Sequence, residues 1–143
     1  MLTEYEVSSR LIFWGDNLDP VGIHKVFELD PSICVLRIKG DVIKEANSDR
    51  KASYAKTGMF SYRYDNQHPN SRHNPEEQFN FITNRLNLLP EKFDEMYKVE
   101  KAQLQLFIYY DATTSGEADF IVPSDLMFSL CKYNIEISIT VLP

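Results

Sequence analysis

The sequence predicts an α+β fold, a single-domain two-layer sandwich in which helices pack on a mainly antiparallel sheet. Three observations lead to this prediction. Several segments alternate apolar and polar residues with a period of two, as half-buried strands do. Other segments repeat apolar residues at i, i+3 and i+4, the pattern of amphipathic helices. The two kinds of segment alternate along 143 residues, a length typical of one hydrophobic core, so we expect one domain over 1–143.

The individual elements follow from turn and cap chemistry. Asp19 and Asn74 each precede a proline, and an N-cap residue followed by proline is typical of helix starts. Pro90 interrupts the longest helical pattern, because proline inside a helix removes a hydrogen bond. The predicted helices cover 20–29, 75–89 and 124–133, and either a kink or a second short helix is expected over 90–98. The predicted strands cover 5–14, 33–38, 54–64, 104–110, 120–122 and 135–141.

The order of these elements favours a ferredoxin-like arrangement or a duplicated split β-α-β arrangement, with the helices on one face of the sheet. In the last helix, Leu126, Met127 and Leu130 are expected to point into the core. Polar stretches near 44–52 and 65–74 are expected to be mobile loops.

Composition argues against several classes of function. The formal net charge is −6 and the isoelectric point is near 5.0, which disfavours nucleic acid as a partner because phosphate binding needs lysine and arginine. No apolar run is longer than five residues, whereas a membrane span needs about 20. The first residues are acidic and polar, unlike a secretory signal. We expect a cytoplasmic protein that does not bind membranes.

The sequence carries no recognisable catalytic or cofactor motif. Five glycines leave little room for a phosphate-binding loop, and no nucleophile elbow is present. His68 and His73 are spaced i, i+5 in a polar stretch, which matches no zinc motif. Cys34 and Cys131 have apolar neighbours and are expected to be buried free thiols. We therefore expect a non-enzyme without metal or cofactor.

Four short motifs resemble those of one bacterial family. They are FWGDNLDP at 13–20, LDP at 29–31, KGD at 39–41 and TGMFS at 57–61. Together they resemble the domain of unknown function 4279 (DUF4279) family, with Phe60 standing where tryptophan is usual. The resemblance implies a compact cytoplasmic α+β domain with no established activity. Some members of the family look like immunity proteins encoded beside secreted toxins.

Two binding functions are compatible with these features. The first is a non-enzymatic protein-binding module, such as an immunity or inhibitor protein that covers the basic surface of a toxin, as a monomer or homodimer. Its candidate contacts lie in the acid-rich region 101–143 and are Asp111, Glu117, Asp119, Tyr109 and Tyr110.

The alternative is a small-ligand-binding or regulatory domain with a pocket near the first strand–helix turn. Its candidate residues are Trp14, Asp16, Asp19, Lys56 and Arg63. Lys56 and Arg63 border this pocket. The basic strip at 50–73 that contains them suits a ligand phosphate or an acidic partner, or else a solvated loop and the outer face of a strand. Of the two functions, the sequence favours the protein-binding module.

Overall fold

A computed structural model describes residues 5–66, 68–110 and 119–142, and these residues form the predicted α+β sandwich. The helices are α1 Pro20–Phe27, α2 Pro75–Leu86, α3 Phe93–Tyr97 and α4 Ser124–Lys132. The strands are β1 Tyr5–Gly15, β2 Cys34–Arg37, β3 Val42–Lys44, β4 Ser53–Tyr54, β5 Gly58–Arg63, β6 Lys101–Tyr110 and β7 Glu136–Leu142. Short 3-10 turns cover Pro31–Ile33, Tyr64–Asn66 and Pro69–His73.

The main sheet has the strand order β2-β5-β1-β6-β7. β1 is antiparallel to β5 and to β6, and β2 is antiparallel to β5. β1 and β2 therefore run parallel with β5 between them, and β5 and β6 run parallel with β1 between them. These are two interlocked split β-α-β units, the ferredoxin-like order that the sequence predicts. The α4 helix then leads to β7, which pairs in parallel with β6.

The core lies between the sheet and the helices. Alternate β1 residues such as Leu11 and Phe13 face it, and the buried stripes of all four described helices pack into the same cluster. Phe13 contacts the rings of Phe27, Phe60 and Phe93 at centroid distances of 5.9, 6.1 and 5.6 Å. Aromatic pairs at such distances contribute about 0.5–1.5 kcal/mol beyond burial, so this cluster fixes the helical layer on one face.

The turn between β1 and α1 is locked onto the segment that follows α3. The Asp19 carboxylate caps α1 by accepting the backbone N–H three residues on, at 3.0 Å. The Asp19 backbone N–H donates to the Tyr97 carbonyl at 2.9 Å. A Cβ at Gly15 would lie 2.3 Å from the Lys98 carbonyl oxygen, so only glycine permits this close approach. The local sequence of the turn is thus explained by packing and capping.

The structure has one element that the sequence does not predict and lacks one that it does. β3 and β4 pair as a small two-stranded sheet at the two ends of the predicted 44–52 loop. Residues 120–122 do not form a strand. Instead, Phe120 packs against the rings of Tyr5 and Phe79 at centroid distances of 6.4 and 6.1 Å.

Three side-chain predictions are corrected as well. Met127 is 41% exposed, because it lies on the flank of α4 beside the buried stripe of Leu126 and Leu130. Cys131 is exposed and Cys34 is half-buried, so the prediction of two buried thiols is wrong.

No helix in the described ranges is long and apolar enough to cross a lipid bilayer.

Candidate functional site

The sheet face turned away from the helices is the main candidate surface. Successive strand residues point to opposite faces, and directly paired residues share a face. We call this surface the open face. Its residues on the three central strands are Glu6, Ser8, Arg10, Ile12, Trp14, Met59, Ser61, Arg63, Lys101, Gln103, Gln105, Phe107 and Tyr109. On the neighbouring strand β2 it includes Val35 and Arg37.

Three arginines lie on the open face, and Arg10 interacts electrostatically with both of the others, Arg63 and Arg37. Arg10 pairs with Arg63 across β1 and β5, and its Nε donates to Ser61 Oγ at 2.9 Å. Burial lowers the pKa of the Arg10 guanidinium, and repulsion from Arg63 and Arg37 lowers it further. Arg63 has a carboxylate partner, but no described carboxylate forms an ion pair with Arg10 or Arg37. The cluster therefore carries positive charge that the described chain leaves uncompensated.

A buried carboxylate holds one end of this cluster. The Asp65 side chain is 1% exposed, and it accepts hydrogen bonds from Arg63 Nη2 at 3.0 Å, Arg72 Nε at 2.8 Å and Ser8 Oγ at 2.9 Å. Burial alone would raise the pKa of Asp65, but these hydrogen bonds hold it below its ordinary value. The network ties the 3-10 turns after β5 to the first half of β1.

The predicted polar loop over 65–74 contains two 3-10 turns, and its Asp65 and Ser71 side chains are buried. The charge pattern of the sequence could have indicated that Asp65 is paired with arginines. Asp65 is the one acid among five lysines and arginines in 50–73, and a lone acid among cations is well placed to be enclosed by them.

Aromatic side chains border the arginines along the open face. The Lys101 ammonium lies 5.4 Å from the centroid of the Trp14 ring, and the Arg72 guanidinium lies 5.7 Å from that of Tyr109. Phe107 stands between them on β6, opposite Ser8, and is half-buried. Such half-exposed rings beside cations are typical of contact surfaces.

The predicted partner-binding residues do not form one surface. Tyr109 lies on the open face, whereas Tyr110 pairs with Tyr5 and points to the helical face. Asp119 is exposed, and its backbone carbonyl accepts a hydrogen bond from the Tyr5 hydroxyl. Asp111 and Glu117 lie outside the described residues. The sequence could not distinguish the faces of adjacent tyrosines until the register was known.

The predicted ligand-binding residues are likewise dispersed. Asp19 is used as the cap of α1, Asp16 forms an exposed ion pair of 3.4 Å with a nearby lysine, and Lys56 is exposed. Trp14 and Arg63 share the open face but sit four positions apart in the register, a distance of about 13 Å. Of these five, only Arg63 belongs to the arginine cluster.

Arg10 and Arg37 are the residues that the sequence analysis missed. They lie in strands β1 and β2, 27 positions apart, and only the β1-β5-β2 order brings them to the same face. Among the described residues, no group of three or more His, Cys, Asp or Glu side chains is placed to hold a metal ion.

Comparison with known proteins adds no further guide. No family model, no curated protein and no solved structure matches the chain. The function is therefore argued from the geometry of the open face.

Proposed function

We propose that this protein is a non-enzymatic binding domain that holds an acidic segment of a partner protein on its open face. The carrying observation is the cluster of Arg10, Arg37 and Arg63, in which two guanidiniums have no carboxylate partner among the described residues. A guanidinium presents a planar fork that matches a carboxylate with two parallel hydrogen bonds. Carboxylates from a partner would supply the charge that this cluster lacks.

The chemistry of the surface favours a protein partner over nucleic acid. The whole chain carries a formal charge of −6, which repels a polyanion at long range. A local cluster of three arginines suits a few carboxylates instead. Trp14 and Tyr109 at the two ends of the face would add the aromatic contacts that anchor protein interfaces.

The inhibitor role suggested by the sequence remains part of this proposal. Such a protein would bind a toxin, but through arginines that meet acids on the toxin, the reverse of the charge pattern predicted from 101–143. Membership of the DUF4279 family and a cytoplasmic location likewise stay predictions.

A quantitative pull-down from the native host tests the proposal. The bait is the wild-type protein, Arg10→Gln or Arg37→Gln, and the matched control is Lys25→Gln, an exposed residue of α1 on the helical side. We expect one dominant partner at near-equimolar level with wild type and Lys25→Gln. Its recovery should fall at least about tenfold in both arginine variants, which corresponds to about 1.4 kcal/mol.

The fold of each variant is checked by circular dichroism and its melting temperature. The Arg37 side chain makes no described hydrogen bond, whereas the Arg10 side chain is bonded to Ser61. Arg37→Gln therefore tests the loss of positive charge without the loss of packing that Arg10→Gln also causes. A partner that all four baits recover equally would refute the open face as its binding site. High salt should release the true partner, because exposed charge pairs are screened.

The small-ligand alternative uses the same arginines for the carboxylates of a small acid. It is favoured by the partial burial of Arg10, which shields a bound anion from water. Citrate is a suitable probe in a thermal shift assay. Stabilisation of wild type and Lys25→Gln, but not of Arg10→Gln, would support this alternative, and equal shifts in all three would exclude a site at the cluster.

A further inference from the structure

The outer edge of β7 is unprotected. It is the last strand of the main sheet, so one side of its backbone has no strand partner in the described chain. Ile137, Ile139 and Val141 are 37%, 54% and 63% exposed. They pair with buried β6 residues and so face the helical side, but α4 does not cover them. Residues 137–142 contain no charge and no proline.

Natural sheets block such edges, because an exposed apolar edge strand pairs with other chains. The opposite edge of this sheet follows that rule. β2 has only four residues and carries Arg37, with the Pro31–Ile33 turn directly before it. The contrast between the two edges indicates that β7 is not left open in solution.

We infer that a second copy of this chain covers the edge, with β7 pairing antiparallel to the partner's β7 around a two-fold axis at Ile139. In this register Ile137 lies opposite the partner's Val141, and Ile139 lies opposite itself. The two rows of apolar side chains then meet on the helical side. Cross-strand pairs of β-branched residues stabilise such sheets.

Charge allows this pairing between two acidic chains. Glu136 is the one charged residue of β7, and it lies opposite the partner's Leu142. The two Glu136 carboxylates therefore sit at opposite ends of the paired strands, about 20 Å apart. Met127, on the helix that precedes β7, is 41% exposed and adds to the exposed apolar surface of this part of the chain. The inference does not depend on the function proposed for the open face.

Sedimentation velocity over a wide range of concentration tests the dimer. We expect wild type to dimerise and Ile139→Lys to be monomeric, because two lysines would oppose each other at the axis. The dimer dissociation constant should rise at least about hundredfold. Val42→Lys is the matched control, since Val42 is 48% exposed on β3 and should leave the dimer intact.

A cysteine at the axis tests the register. Directly opposed residues of antiparallel strands have Cα atoms about 4.5–5.5 Å apart, within the range of disulfides. In a Cys131→Ser background, Ile139→Cys should give a disulfide-linked dimer on mild oxidation, whereas Val42→Cys should not. A monomeric wild type, a dimer that Ile139→Lys leaves intact, or equal cross-linking of both cysteine variants would overturn the inference.

Discussion

Asp65→Asn is the perturbation whose effect follows most directly from the structure. The substitution keeps the shape of the side chain and removes its charge. Arg63 Nη2 and Arg72 Nε both donate to one oxygen of Asp65, and Ser8 Oγ donates to the other. An asparagine can keep its oxygen toward the arginines and turn its amide toward Ser8, whose hydroxyl accepts as well as donates. Because the hydrogen-bond geometry is retained, the loss in the free energy of unfolding measures the contribution of the Asp65 charge.

The magnitude follows from the two arginine bonds. A hydrogen bond to a charged group contributes about 1.5–3 kcal/mol, and a neutral one about 0.5–1.5 kcal/mol. Removing the charge from both bonds would cost about 2–3 kcal/mol. Because both arginine side chains are 35% exposed, water screens part of this interaction. We therefore expect the free energy of unfolding at pH 7 to fall by about 2 kcal/mol.

The pH dependence gives a second, independent readout. The pKa of Asp65 in the folded protein lies below its ordinary value, which is about 3.9 for an unfolded chain. The stability that the carboxylate contributes is therefore complete above that value and is lost as the pH falls through the folded-state pKa. The difference in the free energy of unfolding between wild type and Asp65→Asn should therefore disappear in acid, below about pH 4.

Urea unfolding followed by Trp14 fluorescence and circular dichroism measures both effects. Asp16→Asn is the matched control, because the Asp16 side chain is 48% exposed and its ion pair is worth less than about 1 kcal/mol. If Asp65→Asn lost no more unfolding free energy at pH 7 than Asp16→Asn, the Asp65 network would stabilise the protein no more than an exposed ion pair does. A gap that persisted in strong acid would show that charge is not its source.

Three further outcomes are expected. Gly15→Ala should destabilise the protein by about 1–3 kcal/mol in urea unfolding, because its Cβ would meet the Lys98 carbonyl oxygen at 2.3 Å; unchanged stability would disprove the close approach. Tyr133→Phe should cost about 1 kcal/mol in the same assay, since the buried hydroxyl donates a bond of 3.0 Å, and a neutral result would mean that the bond adds nothing. With a thiol reagent at pH 8, Cys131 should react quickly and Cys34 slowly, because burial and then the Asp30 charge raise the pKa of Cys34 to about 11; equal rates in single-cysteine variants would contradict this.

Much of the fold was predictable because local signals agreed with burial. The alternation of Phe60, Tyr62 and Tyr64 predicts the buried face of β5, and all three side chains are less than 5% exposed. Asp19 before Pro20 predicts the start of α1, where the carboxylate is the observed cap. Such signals lie within a few residues of each other, so no knowledge of the tertiary structure is needed to interpret them.

The candidate site was less predictable because it depends on strand order. Arg37 reaches the same face as Arg10 and Arg63 only because β5 is inserted between β1 and β2; Arg10 lies opposite Arg63, and Arg37 lies opposite Met59. Which of Tyr109 and Tyr110 joins the open face depends on a register that can shift by one residue. The absence of a strand at 120–122 is also a tertiary effect, because Phe120 packs against the rings of Tyr5 and Phe79.

The central position of β1 has a consequence for biosynthesis. Leu11 pairs with Tyr62 of β5 on one side and with Leu104 of β6 on the other. β1 is therefore synthesised well before either of the strands with which it pairs. At about 5–20 residues per second, the apolar β1 segment stays unpaired for several seconds as the chain leaves the ribosome. Folding dominated by such distant contacts is slow. β1 can therefore gain both of its neighbouring strands only after β6 has been synthesised.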